Sequence, residues 1–205
     1  MAKALLPTES NSERKARLRP ADWVAAGFRA LARGGPQAIG VESIARDLKA
    51  TKGSFYWHFS DLASLKLAML NTWEQMATTD ITASVRNSGL SAREQVFLLV
   101  EKVSVTPEDQ FGGNAIEPAI RDWGRSEPAA LTALERVDRQ RLADLRDFFR
   151  SAGLAPMAIS QAAVVVYAAV IGLESLRLSA GVGMREPLLA LTEQLLATSS
   201  FVETI

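Results

Sequence analysis

Apolar residues recur at helical spacing along nearly the whole chain, and this periodicity restricts the fold more than any other feature. One such apolar face, near the N-terminus, is formed by Trp23, Val24, Phe28 and Leu31. Gly34-Gly35-Pro36 then ends that helix. Alternation with a period of two residues and hairpin turn pairs are almost absent, so no sheet is expected. The sequence predicts an all-α protein of about eight to ten helices.

Two short helices and one long helix are predicted next. The first of them runs from about Val41 to Leu48. Thr51 is a favourable N-cap for another that ends near Phe59. A long fourth helix, about Leu62 to Ser84, can be capped by Ser60 or Asp61. Its inward face would carry Leu65, Met69, Trp73 and Met76.

Composition excludes several classes of site. The 205 residues include no cysteine and one histidine. Disulfides, thiolate zinc sites and cysteine nucleophiles are therefore excluded, and so are sites with several histidine ligands. No cofactor is expected. The apolar run Ala4-Leu5-Leu6 is too short for a secretory signal, which needs about 7–15 apolar residues, and a cytoplasmic location is predicted.

One long stretch, Ser151 to Leu173, carries no charge and raises the question of a membrane span. Pro156, Ser160 and Gln161 interrupt its beginning, and the apolar part that follows is short and rich in alanine. Such a composition suits tight helix packing. A buried helix, about Met157 to Ala180, is favoured, and no membrane contact is expected.

Charge is distributed unevenly along the chain. Overall, 23 basic and 23 acidic side chains cancel. Residues 1–60 hold ten basic and five acidic residues, a balance of +5, and residues 61–205 hold thirteen and eighteen, a balance of −5. Such asymmetry indicates a nucleic-acid contact at the basic end. The densest basic run is Arg14, Lys15, Arg17 and Arg19, which taken alone also suits a solvated tail.

Three short helices with a tight turn, Lys49-Ala50, between the second and third describe a helix-turn-helix. Phe55 and Phe59 are four residues apart in the third helix and can face the core. The other large or polar side chains of this helix need a different surface, and packing alone explains them poorly: Lys52, Ser54, Tyr56, Trp57 and His58. Such groups are suitable donors to phosphate oxygens or base edges. Gly53 lets the backbone approach a sugar-phosphate chain closely.

At this point the sequence resembles the TetR family of transcriptional regulators over residues 20–66. The resemblance rests on Gly34-Gly35, Val41, Ile44-Ala45, the string from Thr51 to Phe59, and Leu65. Two positions depart from the family pattern. Lys49 stands where the turn usually carries glycine, and Leu62 stands where a lysine often contacts phosphate. Lys66, one turn further, is the candidate replacement for that lysine.

The resemblance implies an N-terminal DNA-binding domain over residues 19–60, preceded by a mobile basic arm over 1–18. Tyr56 and His58 would reach phosphates, and Trp57 would either face DNA or act as a strut between domains. No catalytic role is assigned to His58, because a second histidine and a convincing Ser-His-Asp set are lacking. The predicted DNA-binding residues are Thr51, Lys52, Gly53, Ser54, Tyr56, Trp57, His58, Lys49 and Arg19.

The resemblance also implies an effector-binding and dimerisation domain over residues 61–205, with a mostly apolar cavity between helices. Aromatic residues there would line the cavity, and Tyr167 or Arg121 would orient a polar group of the ligand. Ordinary core packing is the alternative for each candidate. The candidates are Trp73, Met76, Phe97, Ile120, Arg121, Trp123 and Tyr167.

Dimerisation would explain why the helix at about 157–180 is apolar nearly all round. Small residues such as Ala162, Ala168 and Gly172 permit close helix approach there. We expect a homodimer through about 157–180 and 186–198. A two-fold dimer would place two recognition helices about 34–36 Å apart, facing a palindromic operator.

These features predict a dimeric, ligand-responsive transcriptional repressor that a small, mostly apolar effector releases from operator DNA. Two alternatives come from other classes: a helical protein-interaction adaptor, and an all-helical enzyme acting on a small apolar substrate. No convergent acid, base or nucleophile is visible for the enzyme, which is therefore not expected. A steep salt dependence of DNA binding separates the regulator from both alternatives.

Overall fold

The computed structural model describes residues 18–105 and 111–198. These residues form ten α-helices and, within the described ranges, no strand, so the all-α prediction is confirmed. The helices are α1 Pro20–Gly34, α2 Val41–Asp47, α3 Lys52–Tyr56, α4 Leu62–Glu74, α5 Ile81–Arg86, α6 Ala92–Ser104, α7 Ile116–Trp123, α8 Pro128–Ser151, α9 Pro156–Ala180 and α10 Arg185–Thr198.

Local signals set several helix ends. Pro20 occupies the first turn of α1, and Gly35 ends that helix with a φ of 67°, a conformation that favours glycine. At the start of α4, Asp61 Oδ1 accepts a hydrogen bond of 2.7 Å from the Ser64 backbone N–H. The two side chains form a capping box. The predicted ends of α1 and start of α4 are therefore confirmed.

α1 and α4 pack closely because Gly27 has no side chain. A Cβ at Gly27 would lie 2.5 Å from Met69 Sδ, well inside van der Waals contact. Around this crossing, Trp23, Phe28 and Leu65 are buried in one hydrophobic cluster. The same cluster continues through α7 and α8, so apolar packing is unbroken across residue 60.

The segment between α4 and α5 is a π-helical turn, Gln75–Asp80, within an otherwise continuous helix. The turn shifts the buried face by one residue. Burial falls at Leu65, Met69 and Trp73, and then, after a step of five, at Thr78 and Thr82. The predicted inward position of Met76 is only half-buried, because the extra residue of the π turn rotates the face away from it.

α9 departs from the prediction of a buried helix. It is long and apolar enough to cross a membrane by length and composition, yet only 28% of its apolar window is buried. The buried residues lie on one side of the helix. The exposed large apolar residues of α9 are Met157, Val164, Val165, Leu176 and Leu178. The prediction was wrong for a single chain, because the neighbouring helices α8 and α10 cover only part of the circumference.

Candidate functional site

The turn between α2 and α3 has the geometry of a helix-turn-helix with one strained position. Lys49 has a φ of 51°, the only positive φ at a non-glycine residue in the described chain. The Ala50 N–H donates to the Ala45 carbonyl at 2.8 Å and closes the turn. A side chain therefore occupies a left-handed position where glycine costs least.

α3 is a short helix held by its cap and by its inner face. The Thr51 hydroxyl accepts a hydrogen bond of 3.2 Å from the Ser54 backbone N–H, as the sequence predicts. Phe55 is fully buried, and its ring meets that of Trp23 edge-on at 5.5 Å. Phe59 stacks on Phe55 at 5.6 Å. Both phenylalanines anchor α3 to the core, which confirms their predicted orientation.

The outer face of α3, together with the turn that follows it at residues 57–58, presents the remaining side chains to solvent or leaves them half-buried. Trp57 is 84% exposed and Tyr56 is 59% exposed, values that no packing role within the chain explains. Lys52 and Gly53 are also exposed. The exposure of Trp57 argues against a strut between domains of this chain. His58 is half-buried, with its ring 6.4 Å from that of Trp23.

Lys52 forms an exposed ion pair with Glu42 of α2. Their hydrogen bond and mutual attraction raise the pKa of Lys52 and lower the pKa of Glu42. Both side chains remain open to solvent, so Lys52 can readily exchange Glu42 for another anion. A phosphate oxygen is such an anion.

Other basic side chains on the same part of the fold differ in their partners. Lys49 is exposed, and Arg19 reaches Asp22 with an Nε–Oδ2 distance of 3.8 Å while remaining largely exposed. Lys66 instead faces Glu127 at 3.4 Å and lies over the Trp123 ring. The expected replacement of a phosphate contact by Lys66 is therefore not supported. Arg14, Lys15 and Arg17 lie outside the described residues.

A second feature is a cavity of about 390 Å³ enclosed mainly by α4 to α10. Its walls are largely apolar and include Phe28, Leu99, Val100, Phe149, Val166 and Val170. Trp73, Met76 and Tyr167, predicted as effector-binding residues, lie in the lining. A cavity of this size and character is typical of a small-molecule site.

The other four predicted effector residues are not in the cavity lining. Ile120 and Trp123 are buried in the cluster around α1 and α4. Phe97 packs against the cluster formed by α5, α6, α8 and α9. Arg121 lies behind the lining, where its Nη2 donates to Tyr167 Oη at 2.8 Å. Helical spacing identified these residues as inward-facing but did not distinguish core from cavity.

A buried polar network forms one side of the cavity around Glu117. Its carboxylate accepts hydrogen bonds from Trp73 Nε1 at 3.1 Å, Arg141 Nη1 at 2.7 Å and Arg121 Nη2 at 3.1 Å. Burial alone would raise the pKa of Glu117, but the two guanidinium groups and the indole N–H outweigh it and lower the pKa. The carboxylate is therefore ionised and fully satisfied.

Tyr167 joins this network to Asp138. Its hydroxyl donates to Asp138 Oδ1 at 2.5 Å and accepts from Arg121 and from Arg141. Burial, the largest cause, and the bond to Asp138 raise the pKa of Tyr167 to about 12. The network thus joins α4, α7, α8 and α9 through charge-assisted hydrogen bonds. Within the described ranges, no group of three potential ligand side chains is placed to hold a metal ion.

Residues 24–69, which include α2, α3 and the turn between them, match the family model of bacterial regulatory proteins of the tetR family. This segment is therefore a TetR-family DNA-binding domain. Comparison with curated proteins gives no match. This match indicates DNA-binding transcription regulation, since the matched segment contains the helix-turn-helix described above.

Solved structures share the TetR-family fold over most of the chain. A transcriptional regulator from Rhodococcus sp. Rha1 has a TM-score of 0.72 and 16% identity, covering 90% of this chain and 100% of its own. A TetR-family transcriptional regulator from Streptomyces coelicolor has a TM-score of 0.70 and 19% identity, covering 88% and 89%. A transcriptional regulator from Saccharomonospora viridis in complex with choline has a TM-score of 0.64 and 18% identity, covering 90% and 95%. At these identities the likeness concerns the fold.

Some residues of these two sites were missed by the sequence analysis. Arg46 and Ser43 of α2 line a groove with Lys52 and Tyr56, next to the outer face of α3. The cavity likewise includes Arg177 of α9 and Thr192 of α10. Arg46 follows the core residues Ile44 and Ala45 and is the one basic residue of α2, so its charge could have marked it in the sequence as a candidate DNA contact. Cavity residues on separate helices carry no comparable signal.

Proposed function

We propose that this TetR-family chain is a homodimeric repressor that binds palindromic operator DNA and is released by a small, mostly apolar effector. The observation that carries the proposal is the division of α3 and the turn that follows it, together residues 52–59, into two faces. Phe55 and Phe59 are buried on one face, while Tyr56 and Trp57 are exposed on the other beside Lys52. Exposed aromatic and cationic side chains on a capped helix suit a DNA groove.

In this proposal residues 19–60 contact DNA and residues 61–205 bind the effector and form the dimer. Lys52 exchanges Glu42 for phosphate, and Tyr56 and His58 donate to the DNA backbone. Gly53 permits close approach of the helix. The complete proposed DNA interface is Lys49, Thr51, Lys52, Gly53, Ser54, Tyr56, Trp57, His58 and Arg19.

The effector occupies the cavity of about 390 Å³. Trp73, Met76 and Tyr167 contact it, and Arg121 positions the Tyr167 hydroxyl from behind. The relative from Saccharomonospora viridis, which holds choline, supports the idea that this fold takes a small organic ligand. Release requires that the effector prefer the state of the protein that does not fit the operator.

The dimer forms through α9 and α10. Exposed residues of α9 follow a stripe with steps of three and four that contains Val164, Val165, Ala168, Gly172 and Leu176. A contiguous apolar stripe of this kind is typical of a protein interface. Small residues within it allow two copies of the helix to approach closely. Such a dimer would operate in the cytoplasm, where operator DNA is accessible.

Selection of bound duplexes from a random DNA pool tests the proposal, and a palindrome is the expected result. Binding of the selected duplex to the Tyr56→Ala and Tyr56→Phe variants is then measured by gel shift. The alanine change should weaken binding about tenfold or more, the loss of one strong contact. An Arg139→Ala control on the exposed side of α8 should bind normally.

A salt titration of the same complex separates the regulator from an adaptor or enzyme. Each phosphate contact contributes about −0.9 to the slope of log affinity against log salt concentration on B-DNA. A steep slope is expected. A flat response, or failure to select any duplex, would contradict the proposal.

A further inference from the structure

Most polar groups in the cavity lining already have protein partners. Glu117 is held by Arg141, and Asp144 accepts hydrogen bonds from Arg86 Nη2 at 2.9 Å and from Thr82 Oγ1 at 3.2 Å. These groups are satisfied by the protein itself. They can contact a ligand but do not require one.

Arg177 and Thr192 differ from these groups. Arg177 Nε and Thr192 Oγ1 are both buried, line the cavity and have no hydrogen-bond partner in ranges 18–105 and 111–198. A guanidinium N–H can only donate, so Arg177 requires an acceptor. Leaving such a donor unpaired in a buried position is costly, and this cost is removed when an acceptor enters the cavity.

The surroundings of these two groups add positive charge. Lys102 in the last turn of α6 also lines the cavity, and it forms no ion pair with any described residue. Arg177 lies in the last turn of α9. α10, which carries Thr192, packs against both helices. Arg177, Thr192 and the exposed Lys102 thus border one cavity. Its lining is mainly apolar but also includes Glu117, Arg141, Asp144 and Glu174.

We propose that the effector is an amphipathic carboxylate whose apolar body lies along the cavity walls and whose carboxylate binds Arg177 and Thr192, with Lys102 adding attraction. This inference rests on the proposed effector response and deepens it. Arginine and lysine bind carboxylates through short charge-assisted hydrogen bonds, which strengthen away from water.

Glu174, one turn before Arg177, gives the carboxylate site a dependence on pH. Burial, the largest cause, and the nearby charge of Glu117 raise the pKa of Glu174 to about 7. Three guanidinium groups oppose this shift, those of Arg141, Arg177 and Arg121. A neutral Glu174 can donate a hydrogen bond to a bound carboxylate, whereas an ionised Glu174 repels it. The positive charge of Lys102 in the same cavity offsets only part of this repulsion.

The sign of this dependence distinguishes a carboxylate from an amine. Carboxylate affinity should fall as the pH rises through about 7, because Glu174 becomes anionic. An amine would show the opposite trend. Glu174→Gln should flatten the pH dependence of carboxylate binding, since glutamine does not ionise.

The experiment is isothermal titration calorimetry of the full chain without DNA, using decanoate, decan-1-ol and decylamine below their micelle concentrations. The three probes share an apolar chain and differ in the polar end. Decanoate should bind most tightly, and Arg177→Met should weaken it about tenfold or more while leaving decan-1-ol unchanged. An Arg139→Met control on α8 should change neither.

Equal binding of decanoate and decan-1-ol, tighter binding of decylamine, or no binding of any probe would overturn the proposal. The proposal would also be overturned if the Arg177→Met variant bound decanoate as tightly as the wild-type protein. DNA release by each probe is measured separately by gel shift. Release by decan-1-ol without preference for decanoate would leave the proposed repressor function intact and remove only the carboxylate assignment.

Discussion

Trp73 Nε1 donates a hydrogen bond of 3.1 Å to Glu117 Oε2, and this buried contact joins the end of α4 to α7 at the cavity wall. α4 packs directly against α1 of the DNA-binding domain. Trp73 therefore touches the cavity on one side and continues the helix that supports the DNA-binding domain on the other. In the proposed effector response, we therefore expect a ligand that contacts Trp73 to change the position of α4.

Trp73→Phe removes this donor and keeps an aromatic ring. Because the acceptor is a buried carboxylate, we expect a loss of about 1.5–3 kcal/mol in the free energy of unfolding, measured by urea denaturation. Glu117→Gln and the double variant complete a cycle that cancels the change in ring volume. A coupling energy of about 1 kcal/mol is expected between the two positions. Purely additive effects would show that the contact contributes nothing.

Glu42→Gln frees Lys52 from its ion pair and removes a negative charge of α2 that lies beside the outer face of α3. The variant should bind operator DNA about two- to fivefold more tightly, in keeping with the small worth of an exposed pair. Fluorescence anisotropy at fixed salt measures the change, and the stability of the protein should not alter. In a protein that also carries Lys52→Met, Glu42→Gln should increase the DNA affinity by a smaller factor. An equal increase there would show that the effect comes from the charge of Glu42 alone and not from the release of Lys52.

Lys49→Gly relieves the left-handed conformation in the turn between α2 and α3. The free energy of unfolding should rise by up to about 1 kcal/mol, because glycine adopts this φ without strain. Ala50→Gly, at the adjacent residue, should instead destabilise the protein. DNA affinity should decrease in the Lys49 variant if its ammonium contacts phosphate, with a salt slope reduced by about 0.9.

Val165→Glu places a charge on the exposed apolar stripe of α9. The variant should fold, because Val165 is exposed in the single chain, and light scattering should give the monomer mass of 22.2 kDa. Leu67→Glu, at an exposed apolar position of α4, is the matched control and should remain dimeric. A dimeric Val165 variant would place the interface elsewhere.

The raised pKa of Glu174 also predicts how the stability of the ligand-free protein varies with pH. The fold raises the pKa of this carboxyl to about 7 and so favours its neutral form. Its stabilising contribution is complete below the ordinary carboxyl pKa and is lost as the pH rises through about 7. Wild type should therefore lose stability relative to Glu174→Gln between about pH 5 and pH 8.5 in urea titrations. Parallel curves would contradict the assignment.

The sequence predicted the fold class and the buried and exposed sides of residues 51–59 more fully than the cavity. Phe55 and Phe59 are four residues apart, and the same local rule that buries them leaves Tyr56 and Trp57 outside. Thr51 and Asp61 are caps whose chemistry is also local. Such features depend on neighbours within one helical turn, which a single sequence contains.

The cavity depends on relations that sequence spacing does not contain. Trp73 and Trp123 both lie at inward helical positions, but only Trp73 reaches the cavity lining, whereas Trp123 is buried wholly within the cluster around α1 and α4. Arg177 and Thr192 line the same cavity only because α9 packs on α10. The exposed stripe of α9 escaped prediction for a related reason: composition marks a helix as apolar but does not say which part a single chain covers.

The π turn at Gln75–Asp80 has a consequence for how one helix serves two parts of the protein. An α-helix advances about 100° per residue, so one additional residue turns every later side chain by that angle. Leu65 and Met69 accordingly pack into the cluster around α1, whereas Val85 packs into the separate cluster of α8 and α9. The extra residue therefore rotates the buried face of the helix, so that its first part packs into one core and its second part packs into the other. A regular α-helix without the extra residue would keep a single buried face throughout.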